Sequence, residues 1–141
     1  MWETQIMENK GNKMINKVFG EMYFDTSWKT KSEITLWGKV YKIKIDVETY
    51  RKENEITNEQ QESYINFLKI KNVKQNTIER LLSEYFEDQE DDLDKILTPT
   101  TLVIEKNGDL VLLFDDENDQ DNGIAVKLYP EEEVMTQDEY L

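Results

Sequence analysis

The stretch Tyr41-Lys42-Ile43-Lys44-Ile45-Asp46-Val47 alternates apolar and charged side chains without a break. Alternation with a period of two places the apolar side chains on one face of a strand and the charged ones in water. We therefore predict a β-strand here. It is preceded by a turn at Gly38 and by candidate strands at residues 18–24 and 28–36, so the N-terminal part is predicted to be a β-meander.

A helical region follows the meander. Thr57-Asn58-Glu59-Gln60 has the spacing of a capping box, in which the threonine hydroxyl and the glutamine amide each satisfy a backbone N–H at the start of a helix. Apolar residues then recur at helical spacing in two segments, separated by a polar stretch at residues 69–75. We interpret that stretch as a connection between two antiparallel helices. Their predicted inner faces are Gln61, Tyr64, Ile65 and Leu68, then Ile78, Leu81, Leu82, Tyr85 and Phe86.

Strand patterns return after Pro99. Residues 101–105 and 110–114 flank Asn107-Gly108, a dipeptide typical of hairpin turns, and further strands are predicted at residues 123–129 and 134–136. This order predicts an α+β fold, with a mainly antiparallel sheet from the N-terminal meander and the C-terminal hairpin strands packed against a two-helix hairpin. We expect a loose lead-in at residues 1–16 and a single domain at residues 17–141.

Composition excludes several kinds of chemistry. The 141 residues include no cysteine and no histidine, so disulfides, thiol nucleophiles, zinc–thiolate sites and imidazole bases are impossible. The formal net charge of −14 argues against binding to nucleic acid, because phosphates repel a surplus of carboxylates. The longest apolar run, Leu110 to Phe114, is too short to span a membrane. We therefore expect a cytoplasmic protein without a cofactor.

All of the net charge lies in the second half of the chain. Residues 1–70 contain eleven basic and eleven acidic residues, whereas residues 71–141 contain six basic and twenty acidic residues. The acidic residues cluster at residues 87–94, 115–121, 131–133 and 138–139. The candidate partner-binding residues are Glu87, Asp88, Asp91, Asp92, Asp115, Asp116, Asp119 and Asp121.

The acidic loop at residues 115–121 also suggests a cation site. With Gly123 at the sixth position of an EF-hand loop, Asn118 would stand first and Tyr129 twelfth, so the acidic first ligand and the bidentate glutamate are both missing. The segment that follows also has a strand pattern, and an EF-hand is excluded. An irregular divalent-cation site in this loop stays open as an alternative.

Catalytic motifs are missing from the sequence. The four serines have no histidine partner, no Ser-x-x-Lys motif is present, and five glycines do not form a phosphate-binding loop. Asp115 and Asp116 follow an apolar strand, but adjacent strand residues point to opposite faces and would not converge. We predict that the protein is not an enzyme.

The order of several motifs resembles a bacterial family of domains of unknown function. The matching elements are Trp37-Gly38, Gln61-x-x-Tyr64-x-x-Phe67, Leu81-Leu82-x-x-Tyr85, Pro99 before a hairpin, and Gln137-Asp138. The family carries a Trp-Asp-x-Glu-His-Gly-like stretch, which here is Asn118-Asp119-Gln120-Asp121-Asn122-Gly123, with asparagine in place of the tryptophan and the histidine. The resemblance covers residues 34–141. It implies an α+β fold and a small cytosolic protein of the immunity or accessory type found beside bacterial toxins.

These observations favour a non-enzymatic acidic protein that binds a basic protein partner. A toxin-neutralising immunity protein is the most concrete version of this hypothesis. An acidic surface accelerates encounter with a cationic surface and suppresses wrong partners. The alternative is a divalent-cation-binding module that uses the loop at residues 115–121. The sequence leaves the oligomeric state open.

Overall fold

The computed structural model describes residues 12–49, 51, 55–87 and 92–141. Within these residues eight strands form one sheet, and their order in the sheet is their order along the chain. The strands are β1 (Lys13–Asn16), β2 (Gly20–Phe24), β3 (Trp28–Leu36), β4 (Lys39–Val47), β5 (Leu97–Ile104), β6 (Leu110–Asp116), β7 (Ile124–Tyr129) and β8 (Glu133–Thr136). The helices are α1 (Asn58–Tyr85), α2 (Leu93–Ile96) and α3 (Gln137–Tyr140).

The alternating stretch quoted above forms most of β4, and the prediction of a strand there is confirmed. Ile43, Ile45 and Val47 are buried, whereas Lys42 and Lys44 are exposed. β4 pairs antiparallel with the whole of β3. The period-two pattern therefore divides this part of the sheet into an inner apolar face and an outer charged face.

A two-residue turn, Trp37-Gly38, joins β3 to β4. Its φ angles are 52° and 73°, and two consecutive residues with positive φ give the tight turn that matches strand twist. Glycine adopts this conformation freely, but tryptophan does so rarely. Two contacts hold the tryptophan: its N–H donates to Glu79 Oε2 at 2.8 Å, and its ring packs edge-on at 6.4 Å against Phe114. The turn is thus anchored to both α1 and the C-terminal half of the sheet.

Strands β4 and β5 are the one parallel pair among the described strands, and the strands on either side pair antiparallel. Parallel neighbours need a crossover connection, which α1 supplies. The predicted capping box at its start is confirmed: Gln60 N donates to Thr57 Oγ1, and Thr57 N donates to Gln60 Oε1. The buried Gln60 amide also donates to the carbonyls of Glu48 at 2.9 Å and Ile104 at 3.1 Å. One side chain therefore joins the start of α1 to both parallel strands.

Helix α1 lies against the inner face of the sheet and contacts β3, β5 and β8. The ring of Tyr64 in α1 stacks on the ring of Phe19 in the β1–β2 turn, with the ring centroids 4.6 Å apart. Lys74 of α1 forms an ion pair with Glu132 in the β7–β8 turn. The helix therefore contacts the turns at both outer parts of the sheet. The buried residues of α1 are Gln60, Tyr64, Phe67, Ile78 and Leu82.

The predicted packing of the sheet against a two-helix hairpin is wrong, because α1 continues through residues 69–75 without interruption. That stretch contains no glycine or proline, and its lysine and glutamine residues favour a helix. Lys71 and Lys74 are half-buried there, and their amines reach the Glu33 carbonyl and the Glu132 carboxylate. Lysine stems can cover apolar surface while their ammonium groups reach polar partners, so Lys71 and Lys74 continue the inner face of the helix beside the half-buried Ile70. Over the described ranges, the fold is a mixed eight-stranded sheet with one long helix and two short ones.

The buried face of the first helical segment also differs from the predicted one. Ile65 and Leu68 are 41% and 42% exposed, whereas Gln60 and Phe67 are buried. Within the described residues no helix combines the length and the apolar character needed to cross a membrane.

The segment predicted to be a loose lead-in lies mostly outside the described residues. Residues 1–11 are not described. Lys13–Asn16, the last part of the segment, forms β1 and pairs antiparallel with β2.

Candidate functional site

Described residues of two acidic runs lie close together at one end of the sheet. Helix α2 leads directly into β5, and β5 pairs with β6 so that Thr98 lies opposite Asp115. The backbone N–H of Glu117 donates to the Ile96 carbonyl at 2.8 Å. Residues that precede β5 and residues that follow β6 are therefore neighbours in space.

We name this region the acidic end and define it by Glu87, Asp92, Asp94, Asp115, Glu117, Asp119 and Asp121. Lys39 Nζ lies 3.3 Å from Asp94 Oδ2, and Lys95 Nζ lies 3.7 Å from Asp92 Oδ1. Within the described part of the chain, the other five carboxylates form no ion pair. The acidic end therefore carries a concentrated negative charge.

The eight predicted contact residues fall into three groups. Glu87, Asp92, Asp115 and Asp121 are exposed at the acidic end, Asp116 and Asp119 bond within their loop, and Asp88 and Asp91 lie outside the described residues. Asp116 is only 6% exposed, and its Oδ1 accepts from the Asn118 N–H at 2.9 Å. The half-buried Asp119 accepts from the Asn122 side-chain amide at 3.3 Å. Burial of Asp116 removes it from the surface that a partner can reach.

The loop after β6 is closed by its own hydrogen bonds. The backbone N–H of Asp119 donates to the Asp116 carbonyl, and the N–H of Gly123 donates to the Asp119 carbonyl, both at 3.0 Å. Asp115 and Asp116 point to opposite sides, as expected for adjacent strand residues. Among the residues that the structure describes, no three acidic side chains are placed to hold one metal ion.

Gln137 holds the far end of this loop, and sequence reasoning gave it no structural role. Its amide donates to the carbonyls of Phe114 at 2.8 Å and Ile124 at 3.3 Å. Gly123 has φ of 64°, and a Cβ there would lie 2.7 Å from the Phe114 oxygen. The sequence carries no local signal for this contact, because Gln137 reaches the loop only once β7 and β8 are paired.

A buried polar cluster joins the β2–β3 turn to β4 at the opposite end of the sheet. Ser27 and Lys29 are each 7% exposed. Lys29 Nζ donates to Ser27 Oγ at 2.8 Å and to the Asp25 carbonyl, and lies 3.9 Å from Asp46 Oδ2. Ser27 Oγ donates to Asp46 Oδ1.

Serine beside lysine is one arrangement used in nucleophilic catalysis. Here, however, the ammonium group of Lys29 has three acceptors around it, and the Ser27 hydroxyl is directed at a carboxylate. These contacts fasten the turn to β4. Sequence reasoning missed the cluster because Ser27, Lys29 and Asp46 converge only once β3 and β4 are paired.

A third group of polar residues lies where β4 and β5 end. Tyr140 Oη donates to Glu105 Oε2 at 2.6 Å. Burial and this hydrogen bond to Glu105 raise the pKa of the Tyr140 hydroxyl well above its usual range. Burial, followed by the nearby Glu105 charge, also raises the pKa of the Glu48 carboxyl, while a hydrogen bond from the Lys106 backbone opposes that rise. The hydrogen bond between Tyr140 and Glu105 fastens helix α3 to the sheet.

Comparison of the chain with protein-family models, with curated proteins and with solved structures finds no match. The resemblance to a bacterial family of domains of unknown function stays a prediction.

Proposed function

We propose that this protein is a non-enzymatic binding protein whose acidic end docks on a basic partner protein. The observation that supports the proposal is the position of Asp92 and Asp94, just before β5, beside Asp115 and the loop after β6 at one end of the sheet. A concentrated field of one sign speeds encounter with a surface of the opposite sign and disfavours other partners.

The exposed carboxylates of the acidic end are the expected contacts. Glu87, Asp92, Asp115 and Asp121 are exposed, and they belong to the two acidic runs of the sequence. Asp88 and Asp91 extend the first acidic run in the sequence and stay in the proposed contact set. Lys39 and Lys95 pair with carboxylates at this end, so the partner must match both signs of charge. This mixture adds specificity to the electrostatic attraction.

The most concrete form of the proposal is a toxin-neutralising immunity protein that acts in the cytoplasm. The acidic surface and the motif order support this form. It requires the partner to be a basic toxin, and co-expression of the chain must then protect cells from that toxin. A basic partner without toxicity would leave the binding function in place and exclude the immunity role.

The test compares two variants that remove four negative charges each. Glu87→Gln/Asp92→Asn/Asp115→Asn/Asp121→Asn neutralises the acidic end, and Glu21→Gln/Glu55→Gln/Glu131→Gln/Glu133→Gln neutralises exposed residues elsewhere. The partner is first identified by capture from the native cell at low salt. Association rates are then measured by stopped-flow over a range of NaCl concentrations.

We expect the acidic-end variant to associate at least about tenfold more slowly at low salt, because steering raises association rates by about 10- to 1,000-fold. The matched control should lose much less, since its charges lie away from the contact. The wild-type rate should fall steeply as salt rises. An association rate that does not depend on salt, or equal losses in the two variants, would contradict the proposal.

A further inference from the structure

A cleft of about 250 Å³ lies at the end of the sheet away from the acidic end. It opens between the first turns of α1, the β5–β6 turn and the end of β7. The residues that matter for its chemistry are Glu59, Glu62, Asn66, Asn107, Leu110 and Tyr129. They come from three separate parts of the chain and from different strands and turns, so the cleft exists only in the folded protein.

The walls of the cleft are held together by direct contacts. Ser63 Oγ donates to the Gly108 carbonyl at 2.6 Å, and Thr57 Oγ1 donates to the Lys106 carbonyl at 2.9 Å. A Cβ at Gly108 would lie 2.8 Å from Ser63 Oγ and 3.0 Å from the Glu59 carbonyl. At Gly108 the helix therefore packs directly against the β5–β6 turn, and this contact forms one edge of the cleft. A cleft with fixed walls binds a ligand without first ordering itself.

The groups that line the cleft are suited to a cation. Glu59 and Glu62 are one helical turn apart and exposed, and among the described residues neither has an ion-pair partner. Tyr129, which is 51% exposed, supplies an aromatic wall, and Leu110 supplies an apolar one. Asn66 and Asn107 add amide groups. Two unpaired negative charges beside an aromatic ring favour a positively charged ligand over a neutral one such as a sugar.

We propose that this cleft binds a guanidinium group, presented by an arginine side chain of a peptide or protein. A guanidinium is planar, has five N–H donors for carboxylate and amide oxygens, and stacks on aromatic rings. An ammonium group is a compact, strongly hydrated charge that makes less use of the aromatic wall. The site is separate from the acidic end and does not depend on the function proposed for it.

The probe is N-acetyl-L-arginine methylamide, and its control is the citrulline analogue, which has nearly the same shape without the charge. Binding to the full chain is followed by NMR, using the side-chain amide signals of Asn66 and Asn107 as local reporters. We expect the arginine probe to shift these signals with an affinity of roughly millimolar, as befits a small ligand. The citrulline probe should leave them in place.

Three variants localise the binding. Glu59→Gln/Glu62→Gln should weaken the arginine probe at least about tenfold, because charge-assisted hydrogen bonds are lost. Tyr129→Leu keeps both carboxylates and should weaken the probe about threefold. Glu87→Gln/Asp92→Asn removes two charges at the acidic end and should leave the affinity nearly unchanged.

The proposal is overturned if the citrulline probe or methyl glucoside shifts the reporter signals as strongly as the arginine probe. It is also overturned if Glu87→Gln/Asp92→Asn weakens the probe as much as Glu59→Gln/Glu62→Gln does. Failure here leaves the acidic-end proposal standing, because that proposal is tested by a different variant and a different measurement.

Discussion

Gln60 completes the capping box of α1 and donates from the same side chain to carbonyl groups at the ends of β4 and β5. A buried amide lowers stability unless its donor and acceptor atoms are paired, and both are paired here. One of its acceptors is the Glu48 carbonyl, so the backbone of Glu48 is fixed in place. Burial, and after it the nearby charge of Glu105, raises the pKa of the Glu48 carboxyl.

Glu48→Gln should raise the free energy of unfolding at pH 7. A carboxyl whose pKa is higher in the folded state contributes its stability below the unfolded pKa, near 4.5, and loses it as pH rises through the folded pKa. Replacing it with glutamine removes this loss at neutral pH. We expect a gain below about 1 kcal/mol, because a partly exposed charge is screened by solvent. Urea denaturation between pH 4 and pH 8 measures it.

The control for this prediction is Glu55→Gln, which removes an exposed carboxylate and the same unit of net charge. The gain from Glu48→Gln over this control should shrink as pH falls toward 4.5. Equal free energies of unfolding for the two variants at every pH would show that burial and the Glu105 charge do not affect the pKa of the Glu48 carboxyl.

At the scale of elements, α1 is the feature that sequence reasoning misjudged most. Its start was predictable, because the capping box depends only on Thr57 and Gln60. Its middle was not, because Lys71 and Lys74 occupy the inner face there and their partners come from β3 and the β7–β8 turn. A periodicity argument counts lysines as polar and so divides one helix into two.

Substitutions at Asn72 test whether α1 is continuous. Asn72 is exposed in the middle of residues 69–75, so its replacement alters helix propensity with little effect on packing. Asn72→Ala should stabilise the protein by about 0.5 kcal/mol, and Asn72→Gly should destabilise it by a few tenths. Asn72→Pro should destabilise it by about 3 kcal/mol or more. Thermal and urea denaturation give these values, and a proline variant as stable as the wild type would indicate a break in the helix.

The strands were partly predictable. The strand at Tyr41–Val47 and the hairpin around Asn107-Gly108 are confirmed, because local alternation and turn residues specify them. The parallel pairing of β4 with β5 was not predictable. Strands buried on one face show the same alternation whether their neighbour is parallel or antiparallel. Only the long connection through α1 distinguishes a parallel from an antiparallel neighbour. Because α1 was predicted as two helices, the path of that connection was also mispredicted.

At the scale of the whole molecule, the net charge of −14 is distributed unequally. The acidic runs are visible in the sequence, which left open whether they share one face. The pairing of β5 with β6 places residues before β5 beside residues after β6. Burial of Asp116 could not be predicted, because it depends on the hydrogen bonds of a loop closed by Gln137. The cleft was not predicted either, since Glu59, Asn107 and Tyr129 are distant in the sequence and carry no motif.

Added salt should raise the melting temperature by screening the repulsion among the carboxylates. CaCl₂ and MgCl₂ at a few millimolar should give equal increases, and Asp119→Asn should show the same increases as the wild type. Differential scanning fluorimetry measures these shifts. A large increase with only one cation, lost in Asp119→Asn, would instead favour the cation-binding module that uses the loop at residues 115–121.

The parallel pairing of β4 with β5 has a consequence for the order of folding. The strands within β1–β4, and those within β5–β8, are joined by short connections, so their pairing closes only short loops. Pairing β4 with β5 instead closes one long loop, from Glu48 to Ile96, and this loop contains α1. Contacts between residues far apart in sequence form slowly. The junction of β4 with β5 is therefore the step expected to set the folding rate, with Gln60 joining the three elements that must meet.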